Sequence, residues 1–395
     1  MKSALEETGN LIKLFMHHVG DSEVPDEYYL WSCISMIAAC AGDRVWTQKF
    51  RTARIFPNMY IILIGASGAG KGQAIKTSLR LIERVPGVNR YVGKTTGPHL
   101  ARYLSKKERR VLYLVNPELS ADVGAGDVAR AFMKTMTKLW EGEDYGDIHE
   151  GTVSAGHVVV KSPCLNWIAG STLDWLMHSV TPDEVHGGAF ARISVIHAER
   201  DYEKRLPEIT YPPDVDEVAE HLVARLHEIT TLRGQFQKTA QAIERERYWY
   251  MQRPKPDSPQ MEATWSREHD MLLKFAMVAS LADNSSLVID KHHIAAGQKL
   301  AADASRNLPR VMQAAKITPD NEMAYKIADL IKRHGRITHS HLLRTTGATA
   351  DQVRSAINTL LQGRQIMRST TETGRGGTLY AWRGVRKVEV EEEQK

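Results

Sequence analysis

Asn58-Met-Tyr-Ile-Ile-Leu-Ile-Gly65-Ala-Ser-Gly68-Ala-Gly70-Lys71-Gly72-Gln73 decides how this chain is read: an apolar run enters a glycine loop that ends in lysine, and a helical stretch follows over 74–85. Strand, glycine loop and helix in that order make a phosphate-binding P-loop. The loop's free N–H groups, the positive end of the helix and the Lys71 ammonium converge on one anion. The expected cradle is Gly65, Ala66, Ser67, Gly68, Ala69, Gly70, Lys71, Gly72 and Gln73. One position departs from the pattern. The residue after the lysine is ordinarily Ser or Thr, whose hydroxyl ligates Mg²⁺, and here it is Gly72. A pocket that binds nucleotide but hydrolyses it poorly is one consequence; magnesium held through water or by an acidic residue elsewhere is the other.

The next apolar run, Val111-Leu-Tyr-Leu-Val115, suits a central parallel strand, and Asn116-Pro117-Glu118 follows it. A carboxylate at the end of the strand beside the loop organises the Mg²⁺ shell and polarises the attacking water. Asn116 stands where an aspartate is usual, so Glu118 is assigned most of that work. Residues 165–169 and 193–196 read as two more buried strands, with helices expected from Pro98 and over 127–140. Strands alternating with helices predict a parallel sheet of βαβ units. Ser171 and Thr172, after the third strand, sit either between the two preceding sites as γ-phosphate sensors or at the N-cap of a helix over 173–180. Gly187-Gly188-Ala-Phe-Ala-Arg192 precedes the fourth strand. An arginine held there reaches the γ-phosphate of a neighbouring subunit, an effect of roughly 10³–10⁵ in rate in phosphoryl-transfer enzymes. An ordinary surface arginine is the alternative, and Arg200 and Arg205 are the fallbacks.

Residues 1–50 read as two helices before a strand, the second near 27–41 with Leu30, Ile34, Ile37 and Ala38 at helical spacing and with its apolar run over 31–41 reading as a buried helix. The glycine-punctuated stretch 144–161 reads as a hairpin. Pro212-Pro213 marks a linker, and 214–314 is mostly helical with a break at Asp257-Ser-Pro259. The C-terminal segment is different in charge: residues 321–388 hold 12 Lys and Arg against 4 Asp and Glu, a net +8 out of +5 for the whole chain. That concentration is the footprint of a nucleic-acid module. Its pattern predicts helices over 321–334, 339–345 and from a capping box at Thr349–Gln352, then two strands over 365–369 and 378–382. Three helices and a basic hairpin make a winged helix-turn-helix. Arg354, Ser355 and Asn358 turn outward towards a groove, and Arg375 at the wing tip reaches a backbone phosphate. The expected division is 1–50 helical, 51–212 ATPase core, 213–318 helical lid, 319–388 winged helix and 389–395 acidic tail.

The composition, 42% hydrophobic and 25% charged, is that of a globular protein. No run approaches the roughly 18 apolar residues of a membrane span, so no membrane partner is expected. Three cysteines without a C-x-x-C pair, and an opening without a signal-peptide pattern, point to a reducing cytoplasm. The 16 histidines, including His17-His18, His292-His293 and His339-Ser-His341, have no Cys or acidic partners at metal-ligand spacing and read as surface or packing residues.

Together these residues resemble phage- and plasmid-encoded AAA+-like ATPases of the replicative helicase and primase-helicase type. The resemblance is carried by residues 28–39, Phe56–Gly72, Pro117-Glu118-Leu119, Gly170-Ser-Thr172 and Gly188-Ala-Phe-Ala-Arg192. It implies an α/β P-loop NTPase core with a helical lid, assembled as a ring of six with ATP and Mg²⁺ between neighbours. By position Lys71 grips the phosphates, Glu118 activates water, Ser171 or Thr172 senses, and Arg192 acts in trans. The implied activity is a helicase or translocase on single-stranded or forked DNA, with a primase, polymerase or replication initiator as partner. DNA in the ring pore would meet His149, His157 and Lys161. Two rivals stay open: a helicase loader or ATP-gated assembly factor with weak hydrolysis, and a winged-helix DNA-binding regulator with a vestigial P-loop.

Overall fold

The computed structural model describes residues 9–49, 53–140, 147–152, 156–179, 190–199, 206, 208–256, 261–309, 319–362, 365–370 and 378–382. The chain forms two compact units, 1–312 and 313–395.

Two short strands, β1 (Val45–Gln48) and β2 (Arg54–Ile55), pair antiparallel ahead of the main sheet. The sheet begins with β3 (Tyr60–Ile64), β4 (Arg90–Val92) and β5 (Val111–Asn116). A hairpin of β6 (Asp147–Thr152) and β7 (Gly156–Lys161) intervenes, and β8 (Cys164–Ser171) and β9 (Ile193–His197) complete the sheet. Its order is β4-β5-β8-β3-β9, every pair parallel. All five residues of β3 and all eight of β8 are buried. Strands apolar on both faces require cover on both sides, which the crossover helices supply.

The helix Asp26–Ala41 is buried, as its apolar run over 31–41 predicts. Tyr28, Trp31, Cys33, Ile34, Met36 and Ile37 are all buried, so apolar side chains point out around the whole cylinder. Such a helix belongs inside a core. Its neighbours include the helices Leu11–His18, Lys71–Ile82 and Val215–Thr231, and the apolar cluster they form runs on through the long helix Glu262–Asn284 and Lys291–Arg306. N-terminal helices, sheet and the helical residues of 215–306 thus share one continuous core. Asn166 on β8 ties this packing together, accepting from Met59 N at 3.1 Å and donating to Ala38 O at 3.3 Å.

Within the helical region lie three two-residue strands that residue patterning does not disclose. β10 (Gly234–Gln235) pairs with β1, and β11 (Gln237–Lys238) pairs with β12 (Val288–Ile289). A two-residue strand has no periodicity to read, and only its distant partner creates it.

The second unit packs helices Pro319–His334, His339–Thr346 and Ala350–Gln362 against an antiparallel sheet of order β13-β15-β14, where β13 is Arg336–Thr338, β14 Ile366–Thr370 and β15 Thr378–Trp382. Ile327, Ile331, Leu342, Val353, Ile357, Leu360, Ile366 and Tyr380 form its core. The capping box is present: Thr349 Oγ1 accepts from Gln352 N, and Gln352 Oε1 accepts from Thr349 N at 3.1 Å. The sheet has a third strand, β13, beyond the two expected.

Candidate functional site

The glycine loop leaves the carboxyl end of β3 and enters the helix Lys71–Ile82. Gly70, the residue before that helix, has φ +87°, and a Cβ on it would fall 2.5 Å from Val24. Only glycine satisfies both constraints. Because Gly70 has no side chain, no side chain caps the helix. The N–H groups of its first turn point at the loop's mouth, an arrangement suited to a phosphate. Lys71 is 5% exposed and folds back to donate to Gly65 O at 2.9 Å and Ala66 O at 2.7 Å. Burial pulls its pKa down, while the Glu118 charge pushes it up. Gly68 also lies at positive φ, and Ala69 N donates to Ala66 O across the loop.

The strand carrying Glu118 is not the one beside the loop. β8 lies between β3 and β5, with Ser171 level with Ile64 and Ala169 level with Asn116. Glu118 therefore stands two strands from the loop, about 10 Å by interstrand spacing. Gly170 makes the approach possible, since a Cβ there would meet Pro117 O at 2.3 Å. Glu118 is exposed, accepts from Ser120 Oγ at 2.9 Å and shares the turn with Asp122, whose Oδ2 takes the Glu118 N–H at 3.3 Å. Burial raises the Asp122 pKa, and the Glu118 charge adds to it. Asp122 was not anticipated from the sequence; a second carboxylate four residues after Glu118 was its only signal. His197, on β9 level with Ile64, also lies at this carboxyl edge, where ligands of open parallel sheets bind.

Asn116 stands next to Asp122, whose carboxylate it hydrogen-bonds, and the rest of its side chain is taken up by packing. It is fully buried, donates to Gly93 O at 2.8 Å and accepts from Trp167 Nε1 at 2.9 Å, locking β5 to its neighbours. Gly72 is the opposite case: a Cβ added there meets nothing within 4 Å. The two departures from the magnesium pattern should therefore respond oppositely to repair. Gly72→Ser is expected to fold as the parent does and to raise ATP turnover, because the new hydroxyl meets no obstacle. Asn116→Asp sets a buried carboxylate against the Gly93 carbonyl and is expected to cost about 2 kcal/mol or more. Thermal unfolding and steady-state turnover of both variants check this; an Asn116→Asp protein as stable as the parent refutes the assignment of Asn116 to structure.

Thr172 Oγ1 accepts from Trp175 N at 3.2 Å, which makes it the N-cap of the helix Leu173–Ser179. Ser171, fully buried, hydrogen-bonds Thr172 O at 3.1 Å. Arg192 stands at the amino end of β9, the full height of the sheet from its own loop, roughly 17 Å for five residues. It is 8% exposed, in a short turn packed against the helix Glu262–Asn284. From there it cannot serve its own subunit's loop. Lys161, exposed at the end of β7, precedes β8 and lies at that same far edge. Arg200, Arg205, Gly187, Gly188 and Arg375 lie outside the described residues, as do the side chains of His149 and His157. In the second unit Arg354, Ser355 and Asn358 line one exposed face of Ala350–Gln362.

The fold also gives His292 and His293 the acidic partner that sequence spacing denied them. Asp283, at the end of the long helix, brings a carboxylate oxygen to 3.2 Å from His292 Nε2 and 3.5 Å from His293 Nε2. His293 Nδ1 accepts the Asp290 N–H at 3.0 Å. A neutral ring bonded that way carries its proton on Nε2, so it faces Asp283 as a donor and not as a metal ligand.

At the loop, backbone N–H groups and the Lys71 ammonium fit a nucleotide's phosphates, and the Glu118 and Asp122 carboxylates fit a hard divalent cation such as Mg²⁺. Among the described residues no helix is long and apolar enough to cross a membrane. No family model and no curated protein matches the chain. Among solved structures, a full-length MCM homolog from Methanopyrus kandleri is similar at a TM-score of 0.41 and 12% identity, over 80% of this chain and 63% of that one. This chain therefore spans less than two thirds of the MCM homolog's length.

Proposed function

We propose that the chain is a P-loop ATPase acting on DNA, of AAA+-like architecture, in which ATP and Mg²⁺ lie between the subunits of a ring and the second unit engages DNA as a winged helix. The observation that carries this reading is the edge formed by β3, β8 and β5. It sets the uncapped helix and Lys71, then Ser171, then Glu118 and Asp122 in a row at one end of a parallel sheet. In that row the loop N–H groups and Lys71 hold the phosphates. Glu118 takes the proton of the attacking water, Asp122 orients the turn that carries Glu118, and Ser171 stands on the strand between loop and carboxylates. The Glu118 and Asp122 carboxylates would hold Mg²⁺, which would supply charge neutralisation at the phosphates. Arg192, too far from its own loop, is read as acting across a subunit boundary. Helicase or translocase work in replication is the preferred activity.

A second reading has its own support. The missing hydroxyl at Gly72 and the commitment of Asn116 to Trp167 and Gly93 thin the magnesium shell, which suits a loader or assembly factor that binds ATP and turns it over slowly. Steady-state ATP hydrolysis with and without single-stranded DNA separates the two. The motor reading expects turnover that DNA raises at least severalfold and that Glu118→Gln removes while ATP binding persists. Tight ATP binding with no turnover on any DNA hands the protein to the second reading.

A further inference from the structure

The helix Ala240–Gln252 is poorly covered for its length. Ala242 is its one buried residue among those described, while Ile243, Tyr248, Tyr250 and Met251 are between 49% and 72% exposed. Beside it, along the edge made by β1, β10 and β11, opens a cleft of about 500 Å³. Its lining includes the amides of Gln48, Gln235 and Gln237 together with Arg247, Tyr250 and His269. That volume falls within the range of small-ligand sites, and polar groups are set among the apolar surface of the lining. Gln235 Nε2 donates to Gln48 Oε1 at 3.3 Å and Gln237 Nε2 to Gln235 O at 3.5 Å, which leaves Gln48 Nε2 and the Oε1 atoms of Gln235 and Gln237 to a ligand.

The charges of the cleft are sorted. On its floor Glu246 bridges Lys238 Nζ at 2.6 Å and His269 Nε2 at 2.8 Å. Burial alone would raise the Glu246 pKa, yet these two partners bring it below the usual carboxylate range. The floor is thus internally compensated. The rim is not. Arg247 has no carboxylate partner among the described residues; Arg54, outside the lining but opposite Gln48 across β1 and β2, stacks its guanidinium 4.5 Å from the Trp46 ring and has none either. The Arg253 guanidinium lies over one face of the Tyr250 ring, 5.1 Å from its centroid, and the His269 ring is tilted 56° to it with centroids 5.1 Å apart. Arg253 itself lies 4.0 Å over Trp265. The aromatic wall is therefore supported from behind.

We propose that this cleft binds a nucleotide of single-stranded nucleic acid: the base stacks on Tyr250 with its polar edge towards the glutamine amides, and the backbone phosphates meet Arg247 and Arg54. A cationic rim combined with a rigid aromatic face is the recurring design of single-strand grooves. The amide groups not engaged with one another suit the polar edge of a base and would be left unsatisfied under an apolar protein surface. The inference rests on the nucleic-acid half of the proposed function. It is independent of the ATP site and of the second unit.

The test is fluorescence anisotropy of the full chain with labelled 20-nucleotide dT and dA strands, without nucleotide, at two salt concentrations. Tyr250→Ala is expected to weaken binding about tenfold, and Tyr250→Phe to restore it, since the ring and not the hydroxyl stacks. Arg247→Ala is expected to weaken binding and flatten its salt dependence by about one phosphate contact. Each variant should unfold at the parent's temperature and keep its DNA-free ATP turnover. Affinities within twofold of the parent for both Tyr250→Ala and Arg247→Ala, with binding lost instead in Arg354→Ala, overturn the cleft and leave the DNA reading intact. A parent that hydrolyses ATP but binds neither strand overturns both. Self-association of the parent in sedimentation that Tyr250→Ala abolishes, with strand binding unchanged, makes the face a contact between copies and likewise overturns the proposal.

Discussion

Lys71→Ala is expected to reduce ATP hydrolysis by about 10²–10³-fold or more, the scale on which a single preorganised charge-stabilising donor acts. The residue is 5% exposed, and in this structure its ammonium is satisfied by two carbonyls of its own loop, Gly65 O and Ala66 O. Those contacts hold it at the mouth of the loop, where a phosphate exchanges for the carbonyls with little rearrangement of the chain. A charge-assisted bond to phosphate is shorter and stronger than the bonds it replaces, and no other lysine or arginine lies in the loop itself. Stability should move little, because the side chain spans only its own loop. The measurement is a pair: ATP affinity by calorimetry and turnover by phosphate release, with thermal unfolding as control. Retention of a tenth or more of parental turnover by a folded Lys71→Ala protein would remove the loop from the catalytic reading.

The largest expected effect on stability lies elsewhere. Lys274 sits inside the apolar run of the helix Glu262–Asn284, 6% exposed, with its ammonium 4.7 Å from the Trp140 ring centroid. It donates to Phe56 O at 2.8 Å, Asn58 O at 2.9 Å and Asn58 Oδ1 at 2.6 Å. One cation thus satisfies three acceptors in the segment that leads directly into β3. Lys274→Met keeps the stem's volume but strands those acceptors, each worth roughly 1–3 kcal/mol when left unpaired in a core. Offset by the removal of a buried charge, the net loss should be about 3 kcal/mol. At about 2–4 °C per kcal/mol for a unit of this size, the melting temperature of the first unit should fall by about 6–12 °C. Because Phe56–Asn58 positions β3 and hence the glycine loop, ATP affinity should weaken with it. Differential scanning calorimetry of the whole chain resolves the first unit's transition; a shift under 2 °C would show that Lys274 is a bystander.

These two lysines mark the boundary between what was legible and what was not. Lys71 is found from sequence because its whole environment is local: strand, loop and helix are contiguous over residues 60–82, and the glycines are required by backbone geometry that any reader of φ constraints expects. The same holds for Val111–Asn116, for Cys164–Ser171 and for the three helices and capping box of the second unit, all set by short-range periodicity. Lys274 is invisible because its partners lie 216 and 218 residues away. In sequence it is only an interruption of an apolar helix.

The site divides in the same way. That Glu118, Ser171 and Lys71 would meet at the carboxyl edge follows from strands read correctly as parallel. Strand order is a long-range matter: hydrogen-bond pairing alone sets β8 between β3 and β5, and with it the two-strand gap between loop and carboxylate. Side-chain identity at Asn116 suggested a magnesium role, and packing against Trp167 and Gly93 assigned it another. Arg192 was named by its neighbours in sequence, but the direction of β9 sent it to the far edge. His292 and His293 lacked a partner until the end of a 23-residue helix delivered Asp283 to them. The sequence by itself determined the local elements, the loop chemistry and the charge of the second unit, because backbone sterics and short-range periodicity act over a few residues. Only the tertiary structure decided which strand neighbours which, which polar groups are already satisfied and which surfaces remain uncovered, because those depend on contacts between segments that the chain holds far apart.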